Sequence, residues 1–224
     1  MMIEVTIVCE GQTEETFVRA VLQEPLALAG VFVSARLINT SSSQRGGALN
    51  LDRVSRFIRD TLMQRADTYV STFFDLYGLD ASFGGVLQSR GQEPSKRATQ
   101  VERELHEHIV GLAACRAERF VPHIQPHEFE ALLFSDIDQL CSSEPEWLAH
   151  HEEFAVACAQ AGGPEWINDS PYTAPSKRLD RLSPRYRKTQ HGPDIALRIG
   201  LATICEQCPH FGQWYDRLLA LPPL

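Results

Sequence analysis

The chain has no apolar run approaching the roughly 20 residues that a membrane-spanning helix needs. Its amino terminus carries Glu4 at once, with no basic stretch ahead of an apolar one. No membrane association and no secretory signal are therefore expected, and the reading is a cytoplasmic protein. Basic residues are also in deficit: 21 Lys and Arg stand against 29 Asp and Glu, a formal net charge of -8. That balance argues against a surface that coats nucleic acid broadly, which needs a basic footprint. Internal repeats and low-complexity tracts are missing as well. The six cysteines are scattered over 224 residues, a chain much larger than the usual disulfide-stapled scaffold, so reduced thiols are expected. Cys205, Cys208 and His210 form a CxxCxH cluster that could contribute to a zinc site. No second ligand pair stands at finger-like spacing, and packing cysteines near a helix end is the better reading.

With 43% hydrophobic residues the chain can build a core, and its length suits one α/β domain with an appended helical part. Positive charge is concentrated in one place. Lys177, Arg178, Arg181, Arg185, Arg187 and Lys188 face a single acid, Asp180, within that stretch. An acidic protein with one basic segment suits selective phosphate contact, and a solvated surface with internal ion pairs is the alternative.

Residues Thr6 to Glu15, TIVCEGQTEE, read as a short buried strand that ends in a glutamate, a glycine turn and a helix start. Thr13 can cap that helix, with Glu14 and Glu15 in its first turn. Phe17, Val18, Val21 and Leu22 carry helical periodicity as far as Leu28, and Gly30 punctuates the end. Val31, Val33, Ala35 and Leu37 alternate as a second strand, Ser41 to Gly47 is a polar loop, and Leu51, Val54, Ile58 and Leu62 mark a second helix. TYVSTFF, Thr68 to Phe74, is a third strand that stops at Asp75. A glycine-rich loop follows to Gln92. Ala98, Val101, Leu105 and Ile109 mark a third helix, and Phe120 to Gln125 a fourth strand near the sheet edge, interrupted by Pro122.

This alternation predicts a mostly parallel four-stranded sheet with right-handed crossovers over residues 1–140. Residues 141–224 read as a helical extension packed on that core, with helices over Glu146 to Ala161 and Pro193 to Cys205. A parallel sheet gathers its strand ends on one edge, where ligands of open α/β sheets bind. Glu10, Asp75 and the pair Glu128 and Glu130 fall on that edge. Like charges so gathered raise one another's pKa unless a cation sits between them. Mg²⁺ takes one or two protein carboxylates and fills its remaining positions with water and phosphate oxygens.

These residues resemble the Toprim superfamily, the catalytic module of topoisomerases, bacterial primases and nucleases of the overcoming-lysogenization-defect type. The likeness lies in the glutamate of VCEGQTEE and the aspartate of FFDLYGLD, placed after strands one and three. More narrowly, the chain looks like an uncharacterised prokaryotic Toprim-like family, through QPHEFEALLFSD, APSKRL and CPHFGQW in that order. The resemblance implies a Toprim-like, Rossmann-like α/β fold. It makes Glu10 a general acid or base, or a metal ligand, and Asp75 the leading ligand for Mg²⁺ or Mn²⁺. It departs from the family in one respect: the usual DxD pair reads Asp75, Leu76, Tyr77, so the second carboxylate is absent there, and Asp80, Glu128 or Glu130 could supply it from another position. Each acid also has a plainer role open to it, Glu10 at a helix N-terminus, Asp75 in a turn with Gly78, Glu128 and Glu130 in the first turns of an amphipathic helix.

Lys177 and Arg178 are candidate phosphate-binding residues, Lys177 with a catalytic part, because cations stabilise charge on the nonbridging oxygens of a phosphodiester transition state. Ser176 could cap the short helix that presents them. His127 reads as a proton shuttle or a helix-terminal hydrogen-bonding residue, and Phe211 and Trp214 as core. Two functions follow. One is a Mg²⁺-dependent nuclease acting on DNA or RNA, which by the resemblance often accompanies an AAA or ABC-type ATPase in phage defence. The other is a Toprim-like subunit of such an ATPase that no longer cuts. A homo-oligomer is compatible with either.

Overall fold

A computed structural model of the chain describes residues 2–38, 49–167, 173–183 and 185–224. The polar loop expected from Ser41 to Gly47 lies outside them. Strand β1, Ile3–Cys9, sits between β2, Val31–Leu37, and β3, Tyr69–Asp75, and pairs with both in parallel. On the far side of β3 lie β4, Phe120–Val121, and β5, Ile124–Gln125, again parallel. The expected fourth strand is therefore two short pieces that both pair with β3. Pro122, between them, has no N–H to give a ladder and breaks the strand. The order is β2-β1-β3-β4, with β5 following β4 along the same edge of β3.

Alternation along the strands divides the apolar side chains between two faces. Val5, Ile7 and Cys9 of β1 and Tyr69 and Phe73 of β3 enter one core, and Val8, Val70 and Phe74 enter the other. Every residue of β3 is buried, as befits the central strand. The second core is closed by helix α3, Leu51–Gln64, and helix α4, Pro94–Ala113. These contribute Val54, Ile58 and Leu62, and Ala98, Val101, Leu105 and Ile109, the residues whose spacing predicts helices. Asn50 caps α3 by accepting the Asp52 N–H at 3.1 Å.

The first core is covered by the helix after β1. It runs as α1, Gln12–Phe17, widens into a π-helical stretch over Val18–Leu22, and resumes as α2, Gln23–Leu28. Gly30, with φ +85°, takes the left-handed backbone that turns the chain into β2. The carboxyl-terminal helices complete this face. After a 3₁₀ segment, Phe129–Ser135, come α5, Ile137–Ser142, α6, Pro145–Leu148, and α7, His151–Ala161. They are followed by α8, Pro175–Leu182, α9, Lys188–Ile199, α10, Leu201–Gln207, and α11, Pro209–Leu219. The two long helices expected here are each broken in two. In the second, Gly200 at φ +87° separates α9 from α10, and α9 begins five residues ahead of Pro193. Phe17, Phe73, Phe129, Phe211 and Trp214 interlock at ring-centroid distances of 5.3 to 6.4 Å. Phe211 and Trp214 are thus core, fully buried. Among the described residues, no helix is long and apolar enough to cross a membrane.

Candidate functional site

Parallel pairing in the register Cys9 to Phe73 puts the residues after β1 beside the end of β3. The Glu10 N–H donates to the Phe73 carbonyl at 3.4 Å, and the Glu10 carboxylate accepts the Asp75 N–H at 3.3 Å. Glu10 and Asp75 thus meet on one sheet edge. Gly78, in the 3₁₀ turn Leu76–Gly78 that follows β3, closes over Glu10 so tightly that a Cβ there would overlap the carboxylate. Gly11 opens α1, where Glu14 turns back to accept the Gly11 N–H at 2.9 Å. Glu14, not Thr13, closes this helix start, and it brings a buried carboxylate to the same edge.

The opposite wall is built by the segment after β5. His127 takes a left-handed backbone, φ +61°, and its ring packs against Tyr77 with centroids 5.3 Å apart. The Tyr77 N–H donates to the His127 carbonyl at 3.1 Å, and the Phe129 N–H to Asp75 Oδ1 at 2.8 Å. This turn carries Glu130 into the interior. Its two carboxylate oxygens are fully buried and accept no hydrogen bond among the described residues. Lys188, first residue of α9, is its ion partner, with Nζ 3.6 Å from Oε1.

Electrostatics follow from this crowding. Burial and the neighbouring Glu14 push Glu10 up to about 7, against the Asp75 N–H and Lys188, which pull it down. Burial likewise raises Glu130 to about 7, with Lys188 opposing. Asp75 rises well above the usual aspartate range through burial and the charges of Glu14 and Glu10. Glu14 is raised by burial as well. For Lys188, partial burial works against its charge, but Glu130, Asp75, Glu14 and Glu128 outweigh it and the ammonium is held more firmly than usual. Among the described residues, four carboxylates therefore share Lys188 as their cation.

The other expected site residues are placed elsewhere. Glu128 accepts the Ser176 N–H at 2.6 Å and its hydroxyl at 2.9 Å, which ties the start of α8 to the 3₁₀ segment. Lys177 on α8 is exposed, and Arg178 turns away to the Thr173 carbonyl, 2.8 Å, and lines a cleft against α7. Asp80 accepts from Ser82 N at 2.8 Å and Asn50 Nδ2 at 3.4 Å, in the turn that abuts α3. Burial would raise its pKa, but the Ser82 bonds outweigh that and hold it below the usual value. Arg185 and Arg187 are exposed and line a cleft with Glu144, Gln190 and His191 beside the start of α9. Lys188 and Glu14 are the two members that sequence reasoning does not single out. Lys188 could not be picked out because the helix expected here starts at Pro193, five residues after the place where α9 begins.

A second polar centre is buried beneath the far edge of the sheet. Glu102 of α4 accepts the Ile124 N–H at 2.9 Å and contacts His210 Nε2 at 2.8 Å and His123 Nδ1 at 3.5 Å. Burial would raise Glu102, but the two histidines outweigh it and hold it at about 2. Burial pulls His123 down to about 4; it would also lower His210, whose bond to Glu102 raises it instead. His210 of the CxxCxH cluster is thus directed to Glu102, and Cys208 beside it is buried in the apolar core. Among the described residues, the His, Cys, Asp and Glu ligand atoms that lie within 4.8 Å of one another in a group of three are those of Glu102, His123 and His210. The carboxylates of the Glu10 edge are spread more widely.

No curated protein matches the chain. A solved structure similar to it is the C-terminal region of the OLD protein from Burkholderia pseudomallei, 19% identical over 96% of this chain and 98% of that one, with a TM-score of 0.42. Residues 9–219 match the family described as "Domain of unknown function (DUF4276)", so the chain belongs to that family over nearly its whole length.

Proposed function

We propose that the protein is a divalent-metal-dependent phosphodiesterase acting on nucleic acid, with Glu10, Glu14, Asp75 and Glu130 as its acidic centre and Lys188 as its cation. The observation that carries this reading is the charge imbalance at the sheet edge, above all the buried Glu130 whose oxygens accept no hydrogen bond among the described residues. Buried carboxylates in that state take up protons or a cation. An all-oxygen donor set suits Mg²⁺ or Mn²⁺. The wide spacing of the acids suits an ion that keeps part of its shell as water and phosphate. Asp75, with Glu130 or Glu14, would hold it, and Glu10 would stand beside it. When bound, it would polarise the phosphate and acidify a bound water.

The chain's own residues supply the rest. Glu10, the carboxylate at that edge left outside the ligand set, would take the proton of an attacking water and return it to the leaving oxygen. Lys188 stays an ammonium throughout the neutral range and faces the charge that builds on the nonbridging oxygens. Asp75 is fixed by the Phe129 N–H. Arg185 and Arg187, exposed next to Lys188, would contact flanking phosphates, which reconciles a net charge of -8 with a nucleic-acid substrate. Lys177 and Arg178 would then act outside the centre. By the Toprim resemblance an AAA or ABC-type ATPase is the expected partner, in the cytoplasm and in phage defence.

A second reading, a subunit that binds without cutting, is favoured by one observation: Tyr77 stands where the DxD pattern would put a second aspartate. The two separate in one assay, cleavage of labelled plasmid, single-stranded DNA and RNA with Mg²⁺, Mn²⁺ or EDTA. Metal-dependent cutting that disappears in Glu10→Gln and Asp75→Asn supports the nuclease. Cutting that survives both substitutions removes it, and no cutting with or without an added ATPase favours the binding subunit.

A further inference from the structure

The Glu102, His123 and His210 centre plays no part in the proposed chemistry, yet it is the tightest group of potential ligands among the described residues. Its hydrogen bonds fix the chemistry of each atom. Glu165 is held as an acceptor by the N–H groups of His210 at 2.9 Å and Phe211 at 3.0 Å. It therefore takes the Gln125 side-chain NH₂ at 3.4 Å, which leaves Gln125 Oε1 facing His123 Nε2 at 3.2 Å. In the neutral ring, which burial favours, Nε2 then carries the proton and Nδ1 offers a lone pair; a protonated ring would instead turn Nδ1–H toward Glu102, so proton and metal compete for one place.

That lone pair is fully buried, has no hydrogen-bond partner among the described residues, and points at a carboxylate oxygen 3.5 Å away. Two electron-rich atoms in that position call for a positive charge between them. An outer hydrogen bond that fixes the tautomer and frees the other nitrogen is the arrangement found around metal-bound histidines. His210 Nε2 reaches the same oxygen from α11 at 2.8 Å. Ligands about 2.0–2.1 Å from a tetrahedral ion are separated by roughly 3.3 Å; the two pairs through Glu102 Oε1, at 2.8 and 3.5 Å, lie close to that, and all three ligand atoms lie within 4.8 Å of one another.

We propose that Glu102 Oε1, His123 Nδ1 and His210 Nε2 form a Zn²⁺ site that clamps α4, the β4–β5 connection and α11 together. Two imidazoles and one carboxylate favour zinc over the Mg²⁺ suited to the all-oxygen edge. Access exists from outside: His210 lines a cleft of about 480 Å³ with Gln100, Arg103 and Gln213, and Glu102 lines another of about 610 Å³. A water entering from the first cleft would fill the fourth position. The site stands independently of the nuclease reading.

The test uses the full chain, stripped with chelator, reloaded with Zn²⁺ and dialysed against excess Mg²⁺, which competes for the acidic edge. One retained Zn²⁺ per chain is expected, with an X-ray absorption spectrum that shows a nitrogen and oxygen shell at about 2.0–2.1 Å and imidazole outer-shell scattering. Retention should persist in Glu10→Gln and fall to background in His123→Gln. Loss of zinc from the wild-type protein on dialysis overturns the proposal, and so does a sulfur shell at about 2.3 Å, which would assign the metal to the cysteines. The wild-type spectrum decides the matter even if His123→Gln fails to fold.

Discussion

Among the described residues, two buried carboxylate centres handle their charge in opposite ways. At the Glu10 edge, four carboxylates face one ammonium, and Glu10 and Glu130 are both pushed up to about 7. At the Glu102 centre, one carboxylate faces two imidazoles and a backbone N–H, and it is held at about 2. The first arrangement costs folding free energy and is retained at the edge of a parallel sheet where ligands gather. The second is close to neutral within itself and ties three elements together. On the proposed reading, imbalance marks a centre that would take a hard cation and a phosphate, and near-balance one that would serve the fold. Donor type divides them too, all oxygen at the edge and mostly nitrogen at the interior.

Substitution at the edge should affect catalysis most. Glu10→Gln and Asp75→Asn are each expected to lower the rate of nucleic-acid cleavage by about 10²–10⁴-fold while leaving the circular dichroism spectrum intact. Lys188→Met should cost about 10²–10³-fold in the same assay, and Lys177→Met should stay within about 2-fold, because among the described residues it is Lys188 that pairs with a carboxylate of the edge. Equal effects from the two lysines would erase the distinction drawn from the ion pair with Glu130. Gly78→Ala probes positioning alone. Its φ is not in the left-handed region, but the new Cβ displaces the Glu10 carboxylate, and a loss of order 10²-fold in kcat with a near-native melting temperature is expected.

At the interior centre the effect should fall on stability. Glu102→Gln leaves His210 without its counter-charge, and urea unfolding of metal-free protein should show a loss of about 3–5 kcal/mol. The smallest expected effect is the pH dependence of the metal-free protein. Glu10 and Glu130 bind protons more tightly folded than unfolded, so their contribution is full below the ordinary glutamate value of 4.5 and is lost as pH rises through about 7. His123, lowered to about 4, acts in the opposite sense over part of that window, since its neutral form is the folded one. Urea midpoints measured across it with and without Mg²⁺ isolate the edge: the difference should grow with pH by on the order of 2 kcal/mol. A pH-independent Mg²⁺ effect would mean that the ion does not bind at these carboxylates.

Sequence made the sheet legible because its signals were local. The alternation of Val5, Ile7 and Cys9, the apolar run ending at Asp75 and the spacing of Leu51 through Leu62 each specify an element without help from elsewhere. Two strands that end in acids then place Glu10 and Asp75 together by topology alone. The rest of the site depends on contacts that spacing does not encode. Glu14 reads as a helper of the helix dipole because its turn back to Gly11 is a property of the folded loop. Lys188 is one of six cations in a row of twelve residues, and which of them reaches Glu130 depends on where α9 starts. Position along the chain favours Glu128 over Glu130 as the one nearer the strand edge, but the left-handed backbone at His127 sends Glu128 to Ser176 and Glu130 inward. The Glu102, His123 and His210 group joins residues up to 108 positions apart.

Mn²⁺ binding followed by electron paramagnetic resonance tests most directly whether the acidic edge is the metal centre. Stripped wild-type protein, with Zn²⁺ restored, should bind Mn²⁺ at neutral pH, compete with Mg²⁺ for it, and lose it in Asp75→Asn and Glu130→Gln but not in Asp80→Asn. Binding that is unchanged in Asp75→Asn and Glu130→Gln would contradict the assignment of these buried carboxylates to a metal-dependent centre.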